Sequence, residues 1–148
     1  MHWIPPPIEE VSLPALLRLA SGVYASAVRQ SLVAAGFDDI PRDGVFVIGS
    51  ISRAGAPLSE VIRWLGVSKQ TAGQLVDTLV LRGYLERTVD DEDRRRLRVS
   101  VTDRGRAVAA LAREAIARID EQLRDSVAAE RIAQTRATLA ALIGLRGK

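Results

Sequence analysis

Two short stretches of this 148-residue sequence concentrate side chains suited to contact with a polyanion. The first supplies hydroxyl, amide and ammonium groups within two helical turns, and the second is an acidic run that ends in three arginines. Groups of the first kind reach base edges or phosphates, and arginines can enter a narrow groove of a duplex. The candidate contact residues are Ser68, Lys69, Gln70, Thr71, Gln74, Arg94, Arg95 and Arg96.

The distribution of charge is compatible with such a surface. The formal net charge is +3, with acidic side chains in excess over residues 1–52 and basic side chains in excess from residue 53 onwards. A polyanion-binding surface requires a local excess of positive charge of this kind. On charge alone a solvent-exposed charged face is the simpler explanation. The secondary structure that carries these residues must therefore distinguish it from a polyanion-binding surface.

The sequence offers little for catalysis or metal binding. It has no cysteine and one histidine, His2, which excludes disulfides, iron–sulfur clusters, thiolate zinc sites and a multi-histidine site within one chain. It contains no glycine-rich phosphate loop and no nucleophile with a plausible histidine base. The consecutive carboxylates of residues 90–93 lie on a flexible tip and do not converge as calcium ligands must. We therefore expect no enzymatic activity, no cofactor and no metal.

The elements that must position the candidate residues are mainly helical. Apolar residues recur at helical spacing from Ile8 to Leu32, with Pro14 in the first turn and Gly36 closing this helix. A second helix is expected at Asp43–Arg53. Further helices are expected from Thr102 to about Val127, and again up to Gly144, where the same spacing continues.

A helix-turn-helix pattern follows the second helix. Ser59 can cap a short helix that ends at Gly66, and Ser68 can cap a longer one that ends at Gly83. Apolar residues of the two helices face each other across the turn. The two helices therefore brace each other, so that the polar first turn of the longer one can enter a major groove.

A charged hairpin comes directly after this pattern. Residues 84–89 and 97–101 alternate in the manner of strands, and the charged residues between them predict a protruding tip. The fold class is therefore mainly α with a small β-hairpin, an α+β protein. A helix-turn-helix that leads into an arginine-tipped hairpin is typical of a winged helix, whose wing reaches a minor groove or a phosphate track.

The chain resembles the MarR family of bacterial winged-helix transcription regulators. The resemblance rests on the segments LGVSKQT (65–71), LVDTL (75–79), RGYLER (82–87) and DEDRRR (91–96), the last running into VSVTDRG (99–105). The wing segment matches the Asp-x-Arg pattern of the family, followed by a strand and a Thr-x-x-Gly helix start. Element order and length agree over nearly the whole chain.

The resemblance implies a role for each of the candidate residues. Residues 68–71 and Gln74 would lie on the recognition helix, and Arg94 would read the minor groove from the wing tip. Asp93 and Arg95 would form the Asp-x-Arg ion pair that shapes the wing and anchors it near the DNA backbone.

The terminal helices carry more apolar residues than a monomer of this size can bury. We therefore expect one MarR-like domain, 1–148, with a helical dimerisation region at 8–36 and 103–145 and a winged helix-turn-helix DNA-binding region at 42–102. The resemblance likewise implies a two-fold dimer, which predicts a pseudo-palindromic operator in double-stranded DNA with half-sites about one helical turn apart. An intramolecular bundle is the alternative.

Many proteins of the family bind a small aromatic or phenolic effector between the dimer helices and the winged domain. The candidate ligand residues, each equally compatible with an ordinary core or surface role, are Tyr24, Arg29, Phe37, Phe46 and Trp64. The absence of cysteine excludes the peroxide-sensing branch of the family, and the single histidine argues against the zinc-sensing branch.

The sequence thus favours a sequence-specific DNA-binding transcription regulator, a homodimeric repressor released by a small molecule. The alternative is a helical dimeric adaptor that uses its winged-helix domain for protein contacts, without specific DNA binding. No apolar run is long enough to span a membrane and the first residues lack the pattern of a signal peptide. We therefore expect a cytoplasmic protein with no membrane partner.

Overall fold

A computed structural model describes residues 6–54, 57–94 and 97–147 of the chain. Within these ranges the helices are α1 (Leu13–Ala34), α2 (Gly44–Ala54), α3 (Leu58–Leu65), α4 (Lys69–Leu81), α5 (Asp103–Ser126) and α6 (Ala129–Gly144). The strands are β1 (Leu85–Val89) and β2 (Leu97–Val101), and short 3-10 turns lie at Ile8–Glu10 and Leu145–Gly147. The predicted fold class, mainly α with a small β-hairpin, is confirmed.

Local signals account for most helix ends. Pro14 lies in the first turn of α1, where its missing amide hydrogen removes no helical hydrogen bond. Gly66 ends α3 with φ +69°, a left-handed conformation that favours glycine. The prediction that Ser59 caps α3 is wrong. This helix begins at Leu58, two residues earlier than a cap at Ser59 implies, with Pro57 at the capping position and no side-chain cap. Proline is suited to this position because its fixed φ is compatible with a helix start.

The core lies where α2, α4, the base of the hairpin and α5 meet. Its largest fully buried side chains are Tyr84, Ile48, Leu79, Leu85, Val47 and Val108. α5 packs against both α1 and α2, and α2 also contacts β2. The winged segment is therefore built onto the long helices through one shared apolar cluster.

The terminal helices leave much of their apolar surface exposed. None of the residues of α6, all of which the structure describes, is buried. Large side chains on α1, α5 and α6 are likewise solvent-facing, among them Leu13, Leu19, Val23, Leu123, Leu142 and Ile143. An isolated helix of this length is marginal in water, since most helical stability comes from packing of an apolar face.

Chain segments long and apolar enough to cross a bilayer do not occur among the helices of the described ranges.

Candidate nucleic-acid interface

A side-chain cap defines the start of α4. The backbone amide of Thr71 donates a hydrogen bond to Ser68 Oγ at 3.1 Å, and the Ser68 hydroxyl donates to Thr71 Oγ1 at 2.9 Å. The cap predicted at Ser68 is confirmed. It satisfies one of the amides that a helix start leaves without a backbone partner, and so fixes where the polar end of α4 begins.

The two sides of α4 differ sharply in polarity. Ala72, Val76 and Leu79 are buried against the core. The five residues singled out on this helix from the sequence are all exposed: Ser68, Lys69, Gln70, Thr71 and Gln74. The structure therefore brings hydroxyl, amide and ammonium groups together at one helix N-terminus, whose partial positive charge favours phosphates.

The hairpin is anchored in the core at its base, and its tip projects into solvent. β1 and β2 are antiparallel, with Leu85 opposite Val101 at the base and Val89 opposite Leu97 towards the tip. Leu85 and Val101 are buried, whereas the rest of β1 is exposed. Five residues at about 3.3 Å each carry the tip about 16 Å from the base.

The described part of the tip is a compact polar turn. Asp90 Oδ1 accepts a hydrogen bond from the Glu92 amide at 2.9 Å, a contact by which aspartate commonly shapes turns. Arg94 and Asp93 are exposed. Arg95 and Arg96 lie outside the described residues. One partner of the predicted Asp93–Arg95 ion pair is therefore not described, and the pair stays a prediction.

An ion pair links the hairpin to the helix beside it. Arg87 Nη2 on β1 donates to Asp77 Oδ1 on α4. Both side chains are substantially exposed, so the pair stabilises the fold by about 0–1 kcal/mol at most. Its geometric effect is to tie the wing to the side of α4 that faces solvent.

Backbone and side-chain contacts close the base of the hairpin. The Thr102 hydroxyl lies 2.6 Å from the Gly83 carbonyl oxygen and accepts from the Gly105 amide at 3.1 Å. The Thr102 amide donates to the Tyr84 carbonyl at 3.2 Å. The predicted cap at Thr102 is confirmed, and it also joins the residue that precedes β1 to the start of α5.

A cluster at this base was not predicted from the sequence. The Tyr84 hydroxyl donates to Asp39 Oδ1, and Arg104 Nη2 donates to the same hydroxyl oxygen at 3.0 Å. The hydrogen bond from Tyr84 holds the pKa of Asp39 below its ordinary value, and nearby arginines act in the same direction. Burial, followed by the bond to Asp39, raises the pKa of Tyr84. No sequence signal could reveal this cluster, because its members lie far apart in the chain.

A groove of about 460 Å³ runs between the helix-turn-helix and the hairpin. Its walls come from α3, α4 and both strands, and it is lined by Leu58, Ser59, Ile62, Lys69, Gly73, Val76, Arg87 and Val99. Of the candidate DNA-contact residues that the structure describes, Lys69 borders it. None of the five predicted ligand residues does.

Those five ligand candidates lie in different surroundings. Tyr24 donates to Asp120 Oδ1 at 2.6 Å, a hydrogen bond that raises the pKa of Tyr24, and Phe37 packs beside Tyr84 with ring centroids 6.3 Å apart. Phe46 and Trp64 are 44% and 60% exposed, and Arg29 is exposed on α1. A shared ligand role for them stays a prediction.

The sequence model of the MarR family matches residues 39–96, the part of the chain that carries α2, α3, α4 and the first strand of the wing, β1. No curated protein matches the sequence significantly.

Solved structures share the fold over most of the chain. The S. aureus MepR–DNA complex is similar with a TM-score of 0.71 at 20% identity, covering 91% of this chain and 98% of that one. Streptococcus pneumoniae FabT in complex with DNA gives 0.69 at 22% identity, covering 92% and 98%. The Thermotoga maritima transcriptional regulator Tm0710 gives 0.57 at 27% identity, covering 88% and 90%.

The family match thus covers the helix-turn-helix and the first strand of the wing, and the shared fold extends over β2 and the helices on either side. Over residues 39–96 the chain is similar to the MarR family, and the described residues share the winged helix-turn-helix fold of MepR and FabT.

Proposed function

We propose that this chain is a sequence-specific DNA-binding repressor that acts as a homodimer and is released by a small aromatic ligand. The observation that carries the proposal is the fixed relation between two features: the exposed, capped polar end of α4 and the projecting hairpin beside it. A helix end of this kind suits a major groove, and a hairpin at its side reaches the neighbouring minor groove.

Each feature has a distinct task in this proposal. Lys69, Gln70 and Gln74 read base edges in the major groove, because ammonium and amide groups match the donor and acceptor pattern there. Arg94 enters the minor groove from the wing tip, where a narrow groove concentrates negative potential. Arg95 and Arg96, which follow it in the sequence, supply phosphate contacts.

Solved complexes support the DNA part of the proposal. The MepR and FabT structures, which have the same fold, were both determined with DNA. Their identity to this chain is low, so the assignment of individual contacts depends on the exposure of the residues at the start of α4 and at Arg94.

The unpartnered terminal helices support the dimer. α6 buries none of its residues within its own chain, and α1 and α5 expose leucine, isoleucine and valine. A second copy that covers these faces removes apolar surface from water and presents two recognition helices to one duplex. By this division residues 8–36 and 103–145 form the dimerisation region, and residues 42–102 bind DNA.

The experiment that tests the DNA-binding part is a selection of genomic fragments at physiological salt, followed by titration of the enriched duplex. We expect log Kobs to fall linearly with log salt concentration, because binding releases counterions from the phosphates. We also expect a random duplex to bind at least a thousandfold more weakly. An adaptor that uses the winged helix for protein contacts gives neither enrichment nor a salt slope, and that result would overturn the proposal.

Release by an effector is tested with a panel of substituted benzoates and phenols. We expect at least one compound to displace the operator duplex and to quench the fluorescence of Trp64, which is largely exposed. The Trp64→Phe variant, which keeps Trp3, provides the background signal. A panel in which no compound changes operator affinity would contradict the effector part and leave the DNA-binding part intact.

A further inference from the structure

We infer that the side chains of Phe37, Asp39, Tyr84 and Arg104, here called the wing-base cluster, are positioning residues that set the angle at which the wing meets the duplex. The inference rests on the proposed DNA-binding function. It assigns a role to four residues that lie at the base of the hairpin rather than at its tip.

The polar contacts of the cluster converge on one carboxylate. Asp39 Oδ1 accepts from the Tyr84 hydroxyl, and Arg104 Nη2 lies 3.4 Å from the same oxygen. Arg104 Nη2 also donates to the Tyr84 hydroxyl oxygen at 3.0 Å. The Asp39 main-chain carbonyl accepts from Arg82 Nη1, at the end of α4. Asp39 therefore contacts both the end of the recognition helix and the base of the hairpin.

Two aromatic rings also contact the Arg104 guanidinium. The Arg104 Cζ atom lies 4.6 Å from the Tyr84 ring centroid and 5.4 Å from that of Phe37. Both distances are within the range of a cation–π contact, which restrains the position of the guanidinium group. Because Tyr84 is fully buried, its ring cannot shift without disturbing the core.

The wing-base cluster lies where a small change in geometry alters the direction of the whole wing. Tyr84 immediately precedes β1 and Arg104 lies in the first turn of α5, just after β2, so the two ends of the hairpin meet here. Asp39 and Phe37 belong to the connection between α1 and α2. A small rotation at this base is magnified at a tip about 16 Å away, where Arg94 is proposed to enter the minor groove.

A purely structural role predicts a different behaviour. If the cluster only stabilises the fold, its loss lowers the free energy of unfolding but leaves the DNA affinity of the folded protein unchanged. If it orients the wing, its loss weakens DNA binding only as long as the wing makes its contact. A double-mutant cycle between the cluster and the wing tip distinguishes the two cases.

The test combines Tyr84→Phe with Arg94→Ala in the full-length protein, with operator affinity measured by fluorescence anisotropy. Tyr84→Phe keeps the buried ring and removes only the hydroxyl. We expect it to weaken binding about three- to tenfold in the wild-type background and by a clearly smaller factor in the Arg94→Ala background, where the wing has lost one of its contacts. Asp39→Asn, which keeps the shape of the side chain, should show the same dependence.

The control is Asp38→Asn, the same change at the exposed neighbour of Asp39, which makes none of the contacts of the wing-base cluster. It should leave operator affinity unchanged in both backgrounds. Urea unfolding of each variant ensures that the titrations report folded protein.

Two results would overturn the inference, and they are distinguishable. If Arg94→Ala weakens binding but Tyr84→Phe and Asp39→Asn have no effect, or weaken it equally in both backgrounds, the cluster does not act through the wing and the proposed function still stands. If Arg94→Ala itself has no effect, the minor-groove part of the proposed function fails and the inference fails with it.

Discussion

Arg94 and Gln70 represent, at the scale of single residues, the two kinds of DNA contact that the proposal requires. Arg94 is an exposed charge on a hairpin tip, and Gln70 is an exposed amide in the first turn of a capped helix. A charge that meets the backbone or the narrow groove contributes to every sequence alike, whereas an amide can pair in bidentate fashion with one base. Substitution of Arg94 should therefore lower the affinity for all DNA sequences, whereas substitution of Gln70 should lower the preference for particular base pairs.

We expect Arg94→Ala to weaken binding to operator and random duplex alike. The slope of log Kobs against log salt concentration should also become shallower by about one unit per site, because one fewer cation is released. Anisotropy titrations at several salt concentrations measure both quantities. The matched control is Arg113→Ala on α5, an exposed arginine away from the wing. An equal change in slope for both variants would refute the assignment.

Gln70→Ala should instead relax discrimination at one base pair in each half-site. The expected loss is about 1–3 kcal/mol of preference for the correct base, if the amide pairs with it in bidentate fashion. Competition with a set of operators that each carry a single base-pair change measures this preference position by position. A uniform loss of affinity with unchanged preferences would exclude a base-reading role for Gln70.

Asp39 predicts a pH dependence of stability. In the folded chain its pKa lies below the ordinary value, chiefly through the hydrogen bond from Tyr84. As the pH falls, the unfolded chain is therefore protonated first, and the stabilisation present above about pH 4 is lost as the pH falls through the depressed pKa. We expect the urea midpoints of wild type and Asp39→Asn to differ most near neutrality and to converge below about pH 4. A constant difference down to pH 3 would contradict the assignment.

Sequence reasoning succeeded for residues whose partners are local. Ser68 and Thr102 could be predicted as caps because each bonds to an amide three residues ahead. The contact between Tyr84 and Asp39 spans 45 residues, and that between Arg104 and Asp39 spans 65. Contacts of this length depend on how α1, α2 and the hairpin pack, which neither periodicity nor capping patterns encode.

At the scale of elements, α5 packs closely against the hairpin base because residue 105 is a glycine, which has no side chain. A Cβ atom on Gly105 would overlap the Tyr84 carbonyl oxygen and lie 2.6 Å from Val101 Cγ1. The first turn of α5 can therefore approach the hairpin this closely only with glycine at that position.

Gly105→Ala should destabilise the fold by about 1–3 kcal/mol, the usual cost of overpacking a well-packed site. Gly73→Ala is the opposite case, because its Cβ would have open space within the helix α4. It should stabilise by roughly 0.5–1 kcal/mol through helix propensity. Urea unfolding of the two variants checks the pair. A shift of both midpoints in the same direction would show that close packing does not determine the residue at 105.

The elements themselves were largely predictable, with one instructive error. Alternation from residue 84 and a charged turn predicted the hairpin, and the strands begin and end within one residue of the expectation. Ser59 was expected to cap α3, yet the helix begins at Leu58 after Pro57. At this position the restricted backbone of Pro57 has more influence on the helix start than the capping preference of Ser59.

The terminal helices raise the question of assembly at the scale of the whole molecule. Their exposed apolar faces were anticipated from composition and spacing, and the structure shows how little of α6 its own chain covers. A partner surface follows from the physics of burial, whereas the geometry of that interface depends on a second chain.

Sedimentation velocity at micromolar concentration should show a homodimer. Leu142→Glu, which places a charge on the exposed apolar face of α6, should shift the protein towards monomer and weaken operator binding with it, because one recognition helix loses its partner on the same duplex. Leu81→Glu is the matched control for assembly, since Leu81 is exposed but lies at the end of α4. A wild-type chain that sediments as a monomer at all accessible concentrations would contradict the dimer.

Hydroxyl-radical footprinting of the selected operator shows directly whether α4 and the wing contact adjacent grooves, when wild type and Arg94→Ala are compared on the same duplex. We expect two protected segments about one helical turn apart, roughly 10–10.5 base pairs from centre to centre. Each should be flanked by minor-groove protection that disappears in the variant, while the central protection remains. Protection without this spacing, or flanking protection that Arg94→Ala leaves unchanged, would contradict a helix and a wing that contact adjacent grooves.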